Sequence, residues 1–172
     1  MTGNERAGNR ILGSLRAQDG KGAVRMEDRF DTDIDDAWSA VTDPSRLARW
    51  LGEVKGDLRV GGEFHRHFHA SGAEGPGRVD VCEPPRRLVV TMDPDQSNEQ
   101  VIEVTLTADG DQTVVVVEER GMPLHLLAAY GAGIQVHVED LGAHLAGHER
   151  CDANARWDEL EPAYDGLAAE IG

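Results

Sequence analysis

Cysteine, basic side chains and long apolar runs are all scarce in this sequence of 172 residues. Cys82 and Cys151 are too few for a disulfide framework in a chain of this size, so we interpret them as free thiols. Lys and Arg number 17 against 32 Asp and Glu, which gives a formal net charge of −15. This charge repels phosphate backbones and anionic membrane surfaces, so we expect no nucleic-acid or membrane partner.

Several targeting and catalytic motifs are also missing. The sequence has no run of about 18 apolar residues, and its first ten residues lack the apolar stretch of a signal peptide. We therefore expect a cytoplasmic protein. No glycine-rich phosphate loop lies between a strand and a helix, and no Gly-x-Ser-x-Gly elbow occurs. We accordingly predict no cofactor and no esterase chemistry.

A strand and two short helices are predicted near the beginning of the chain. Residues 23–30 alternate apolar and charged side chains, which is typical of a half-buried strand. Asp33 or Asp35 can then cap a helix. Asp43 and the proline after it end that helix and begin a second one.

A meandering antiparallel sheet and a long helix are predicted next. Turn clusters separate six strands, which we place at residues 53–58, 63–70, 77–82, 88–92, 100–108 and 113–119. After Pro123 the pattern is helical, and one apolar stripe is formed by Ile134, Val138, Leu141 and Leu145. This stripe must cover the sheet. Residues 153–171 also have helical spacing, and Pro162 is expected to kink or divide that helix.

The residues of several segments are recognisable: residues 30–44, 47–50, 60–64 and 77–79, the block Glu83-Pro-Pro-Arg-Arg-Leu88, and residues 130–133. Together they resemble the START-like (SRPBCC) superfamily, and more narrowly the bacterial family named after the activator of the heat-shock protein 90 ATPase. The resemblance implies an α+β helix-grip fold, in which a curved antiparallel sheet wraps a long C-terminal helix around a cavity. Superfamily members include lipid and hormone binders, aromatic cyclases and co-chaperone domains, so the fold does not decide the function.

On this interpretation the chain is predicted to have three parts. Residues 1–21 form an N-terminal extension that is partly disordered or adds a short strand, expected at residues 11–15. Residues 22–152 form the START-like domain. Residues 153–172 form a helical extension that packs on the same domain.

The candidate site is the concave side of the sheet. Strand alternation turns Phe64 and Phe68 inward, so Arg66 points inward with them and needs a carboxylate partner. Glu119 shares a face with two inward valines and is the partner we predict. The alternative is a rim ion pair that only holds strands together, or two side chains that reach water separately. The large side chains expected around the cavity are Trp38, Trp50, Phe64, Phe68, Met92, Tyr130 and Ile134.

Two groups of histidines are considered as ligands or catalysts. His65, His67 and His69 have a spacing that could share a zinc ion, but alternation sends them to the convex face, so we predict solvated side chains and no metal. His137, His144 and His148 are expected on the flank of the long helix, in no catalytic role.

Non-enzymatic binding of a small, largely hydrophobic molecule is the function we favour, with specificity from Arg66, Glu119 and the Tyr130 hydroxyl. One alternative is a cyclase or hydratase that uses the same cavity. Another is a stress-related chaperone-interaction module that uses its acidic surface. Homodimer formation through a sheet edge or the last helix stays open.

Overall fold

The computed structural model describes residues 10–171, so the prediction of partial disorder for residues 1–9 lies outside the described residues. The elements, in chain order, are β1 (Gly13–Gln18), β2 (Lys21–Phe30), α1 (Ile34–Thr42), α2 (Pro44–Trp50), β3 (Gly52–Gly56), β4 (Glu63–Phe68), β5 (Glu74–Glu83), β6 (Arg87–Met92), β7 (Gln100–Asp109), β8 (Gln112–Met122), a 3₁₀ turn (Leu124–Leu126), α3 (Leu127–Leu145) and α4 (Ala153–Ala169).

One curved antiparallel sheet contains all eight strands, in the order β1-β2-β8-β7-β6-β5-β4-β3. The six strands predicted after α2 are present, with ends that differ from the prediction by three residues or fewer. Asp109 pairs with Gln112 across the turn between β7 and β8, where Gly110 has a φ of +62° that suits glycine. The helix-grip prediction is confirmed, because the long helix α3 follows the sheet and packs against β2.

Aspartate caps define both short helices. The Asp33 carboxylate accepts a hydrogen bond from the Asp36 N–H at 2.8 Å, which selects Asp33 over Asp35 as the cap of α1. The Asp43 carboxylate accepts a hydrogen bond from the Ser45 N–H at 2.9 Å. Asp43 therefore ends α1 and begins α2, as the Asp-Pro pair predicts.

The main hydrophobic core lies between β2, β8, α1 and the buried face of α3. The stripe predicted on α3 contributes Ile134, Val138 and Leu141, each 6% exposed or less. Leu160 and Tyr164 of α4 are fully buried and belong to the same core. This packing holds α3 and α4 together on one side of the sheet.

The prediction that Pro162 divides the last helix is wrong, because α4 is continuous from Ala153 to Ala169 with Pro162 inside it. Proline removes one N–H donor and leaves the carbonyl four residues earlier, that of Asp158, without its helical partner. Asp158 and Pro162 are both exposed, so water can donate a hydrogen bond to that carbonyl.

None of the helices within residues 10–171 is long and apolar enough to cross a membrane.

A candidate ligand cavity with two titratable groups

A cavity of about 670 Å³ lies between the concave face of the sheet and α3. Most of its wall is aliphatic or aromatic. The predicted site residues that line it are Trp50, Phe64, Arg66, Phe68, Met92, Glu119, Tyr130 and Ile134. Trp38 does not line it: the inner face of α1 is formed by Ala37, Ala40 and Val41, and Trp38 packs half-buried beside the main core.

The partner of Arg66 is Asp93 and not Glu119, which corrects the predicted pair. The Arg66 guanidinium donates to the two carboxylate oxygens of Asp93 at 3.1 and 3.4 Å. Both side chains are largely buried, and the Arg66 guanidinium lies 5.5 Å from the centre of the Phe68 ring. Asp93 directly follows β6, two strands from β4, whereas Glu119 lies on β8, four strands away. Sequence alternation assigns the inward face but cannot rank inward carboxylates by distance.

Glu119 therefore faces the cavity without an ion-pair partner. Its carboxyl makes no hydrogen bond to any side chain or backbone group among residues 10–171. Burial raises the pKa of Glu119 to about 7, and the positive charge of Arg66 lowers it by a smaller amount. Near neutral pH the group is thus present both as an acid and as a carboxylate, so it can donate or accept a proton.

His137 is the second titratable group in the cavity. Burial lowers the pKa of His137 to about 4, so the imidazole is neutral at physiological pH. Its ring meets the Phe68 ring edge-on, with centroids 5.3 Å apart. Because His137 lies seven residues after Tyr130 and three after Ile134, it shares their helix face. That spacing was the sequence signal for this position, and the prediction of a flank position is wrong for His137.

A hydrogen bond and a set of exposed residues define the rim. The Gln100 amide donates to the Tyr130 hydroxyl at 2.7 Å and joins β7 to the first turn of α3. The lining residues that are exposed to solvent are Ser71, Ala73, Asn98, Leu126 and Asn154. They come from the β4–β5 turn, the β6–β7 loop, the 3₁₀ turn and the start of α4, so these four segments surround the entrance.

Two backbone features shape the packing around the cavity. A register shift between Val79 and Val81 on β5 brings Cys82 into the cavity wall. On α3, a Cβ built at Gly131 would lie 2.6 Å from the Tyr164 ring of α4, so this glycine permits close packing of α3 on α4.

The strand histidines occupy the positions that alternation predicts. His65 and His67 are exposed on the outer face of β4, and His69, directly after β4 ends, is exposed as well. Across residues 10–171, no cluster of three or more His, Cys, Asp or Glu side chains could hold a metal ion.

Several solved structures of other proteins superpose on this chain. The crystal structure of CalU16 from Micromonospora echinospora superposes with a TM-score of 0.74 at 28% sequence identity, covering 91% of this chain and 96% of CalU16. DynU16, a protein in the dynemicin biosynthetic locus, has a TM-score of 0.68 and 28% identity, covering 76% of this chain and 50% of DynU16. A protein from Bordetella parapertussis has a TM-score of 0.69 at 20% identity, with 87% of each chain covered, and supports the fold alone.

The family comparison covers the centre of the chain. Residues 31–146 match the family model described as Activator of Hsp90 ATPase homolog 1-like protein. No curated protein sequence gives a significant match. The matched region begins just before α1, contains strands β3 to β8 and the whole of α3, and ends before α4 begins.

Proposed function

This chain belongs to the Activator of Hsp90 ATPase homolog 1-like family, and on that premise we propose that it binds a small, largely apolar molecule between the sheet and α3. The observation that carries the proposal is an apolar cavity of about 670 Å³ that contains the side chains of Glu119 and His137, neither of which forms a hydrogen bond or an ion pair with a residue from 10 to 171. Both side chains are half-buried, and a ligand that displaces water from the cavity recovers free energy there if it supplies a hydrogen bond to them.

The ligand we propose is neutral or weakly basic and carries at least one hydroxyl or amine. Such a group can donate to ionised Glu119 or accept from its protonated form, while the remaining surface contacts Phe64, Met92 and Ile134. The net charge of −15 disfavours strongly anionic molecules. DynU16 is named as a protein in a biosynthetic locus, and this setting supports a small-molecule ligand.

A pair of tryptophan substitutions on β8 tests binding in the cavity. Val117 lines the cavity, and its neighbour Val116 lies on the opposite face of the same strand. Val117→Trp fills the cavity with an indole, whereas Val116→Trp adds the same group outside. The probe is N-phenyl-1-naphthylamine, a neutral aromatic amine whose fluorescence rises in apolar surroundings.

We expect wild type and Val116→Trp to bind the probe and Val117→Trp to bind at least about tenfold more weakly, because the apolar contact area is lost. Fluorescence titration gives the Kd of each protein, and circular dichroism checks that each is folded. Equal affinity of the two folded tryptophan variants would place the probe outside the cavity and contradict the proposal.

Proton-transfer catalysis in the same cavity is the second candidate. The observation that favours it is Glu119, whose carboxyl has a pKa of about 7 and no hydrogen bond to a described residue. An acid or base with a pKa near the working pH is efficient in both directions. The matched control is Glu118, which points to the outer face and pairs with Arg16 and Arg120.

Turnover distinguishes an enzyme from a binding protein. If a bound compound is converted, Glu119→Gln should abolish conversion and keep the Kd within a few-fold, while Glu118→Gln should leave both unchanged. Product formation can be followed by liquid chromatography with mass detection. Conversion that survives Glu119→Gln would remove Glu119 as the proton-transfer group.

A further inference from the structure

The last helix supplies part of the cavity wall although it lies outside the matched family region, which ends at residue 146. Ala153, Asn154 and Trp157 of α4 line the cavity. Trp157 is the only large side chain among these three, and it is half-buried. Part of the cavity wall therefore comes from an element that the family model does not describe.

Trp157 reaches the cavity because α3 has small residues beside it. Ala129 and Gly133, one turn apart on α3, both line the cavity. A Cβ built on Gly133 would meet no atom within 4 Å, so the wall is open at this turn. The Trp157 indole N–H donates to the Ala129 carbonyl at 3.3 Å, which holds the ring next to the open turn.

Contacts of α4 with α3 and β1 hold the helix in place, and they thereby hold Trp157 at its position in the cavity wall. Arg156 donates to both carboxylate oxygens of Glu139 on α3, at 2.7 and 2.8 Å. The fully buried Tyr164 hydroxyl donates to Gln135 of α3 and accepts from the Gly13 N–H at 3.1 Å. These contacts connect α4 to α3 and to β1 on either side of Trp157 in the chain.

We propose that Trp157 sets the upper size limit of the molecule that this cavity accepts. The inference rests on the proposed binding function, and it assigns the size limit to α4 and not to the sheet. A larger ligand would have to occupy the volume of the indole ring. Replacement of Trp157 by alanine should therefore admit larger molecules while smaller ones bind much as before.

The test is a series of 4-alkylphenols, from propyl to dodecyl, that compete with N-phenyl-1-naphthylamine. In wild type we expect affinity to rise with chain length and then fall where the tail meets Trp157. In Trp157→Ala the optimum should move to longer chains, with roughly tenfold tighter binding of phenols that carry about two additional methylene groups.

Trp38→Ala is the matched control, because Trp38 is a half-buried tryptophan that does not line the cavity. It should keep the wild-type optimum. If Trp157→Ala does not fold, as judged by thermal unfolding, Trp157→Leu serves, with a smaller shift in the same direction.

The outcomes separate the two proposals. If wild type binds the probe and the phenols but Trp157→Ala keeps the wild-type optimum, the size limit lies elsewhere and the inference is overturned while the binding function stands. If wild type binds neither probe nor phenols, the binding proposal fails and the inference fails with it.

Discussion

Two adjacent glutamates on β8 differ in ionisation because they lie on opposite faces of the sheet. Glu119 faces the cavity, where burial raises its pKa to about 7. Glu118 faces outward; partial burial raises its pKa, but hydrogen bonds from Arg16 and Arg120 hold it below the usual value. One residue of position along the strand therefore separates a surface ion pair from a group in the cavity that can donate or accept a proton.

Glu119→Gln should change how stability depends on pH. The folded-state pKa of about 7 lies above the ordinary 4.5, so the stabilisation from the bound proton is complete below about pH 4.5 and disappears as pH rises through 7. The variant cannot ionise. As pH rises from 5 to 8, wild type should lose about 2 to 3 kcal/mol of unfolding free energy that the variant does not lose.

Urea unfolding at several pH values measures this difference, with Glu118→Gln as the control. Loss of the outer ion pair should make Glu118→Gln slightly less stable at neutral pH, by up to about 1 kcal/mol. A constant difference between Glu119→Gln and wild type across this pH range would mean that Glu119 is not buried in the folded protein.

His137→Gln should show the opposite slope. The folded-state pKa of His137, about 4, lies below the ordinary 6.5, so its contribution is complete above about pH 6.5 and is lost as pH falls towards 4. The variant should thus lose less stability than wild type between pH 6.5 and pH 4.5, again by urea unfolding. Between these pH values the contributions of Glu119 and His137 change in opposite directions. They partly cancel in the unfolding free energy of wild type, so the two variants are needed to separate them.

The sequence predicts which side chains face inward far better than which of them touch. Period-two alternation assigns Phe64, Arg66 and Phe68 to one face, and all three line the cavity. The Arg66–Asp93 contact depends on how closely β6 and β8 approach β4 across the curved sheet, and no local pattern contains that information. A bulge that adds a residue to β5 turns Cys82 into the cavity wall, and no local sequence signature marks that bulge.

At the scale of elements, two glycines on α3 lie in opposite environments. Gly131 lies against the fully buried Tyr164 ring, where an added Cβ would be 2.6 Å from a ring carbon. Gly133 faces the open turn of the cavity wall. The close packing of α3 on α4 therefore depends on Gly131, while Gly133 leaves space beside Trp157.

Alanine at these two positions should change stability in opposite directions. Alanine in a helix interior is favoured over glycine by about 1 kcal/mol, so Gly133→Ala should stabilise the protein by up to that amount. Gly131→Ala gains the same helix propensity but forces Tyr164 to move, and overpacking typically costs about 1 to 3 kcal/mol. A net loss of about 1 kcal/mol is expected.

Chemical denaturation of both variants gives the comparison directly, because they share one helix and one type of change. Gly131→Ala that is as stable as Gly133→Ala would show that α4 yields easily at Tyr164. The wall formed by Trp157 would then be adjustable as well.

Element order was predictable because each element carries its own local signal. The Asp43-Pro44 pair separates α1 from α2, and Asp109-Gly110 forms the β7–β8 turn. Pro162 carried the opposite signal, and it was overruled by tertiary packing of α4 through Leu160 and Tyr164. Local propensity is a weak guide where buried contacts on both sides of a residue fix the helix.

At the scale of the whole molecule, the cavity divides the interior into two unequal clusters. The larger joins β2, β8, α1, α3 and α4. The smaller contains Phe64, Val79, Val90 and Met92 on β4, β5 and β6. All four residues of the smaller cluster line the cavity, whereas Val24 and Met26 of β2 in the larger cluster do not. The smaller cluster therefore has fewer packing partners than the β2 part of the larger one.

This inequality predicts that a ligand stabilises one half of the sheet more than the other. Without ligand, the amides of β5 and β6 should exchange hydrogen faster than those of β2, because local opening costs less where fewer apolar contacts are broken. Saturating N-phenyl-1-naphthylamine should slow exchange in β5 and β6 by about tenfold or more at concentrations far above its Kd. Exchange in β2, which contributes no residue to the cavity wall, should change little.

Hydrogen exchange with mass detection resolves these strands, and the two β8 variants supply the control. Val117→Trp fills the cavity from within, so added probe should bring no further protection of β5 and β6, whereas Val116→Trp should respond like wild type. Uniform slowing over the whole sheet would indicate that the two clusters open together. The cavity would then lie within one cooperative unit. Ligand binding would raise the global free energy of unfolding and would not selectively stabilise strands β4 to β6.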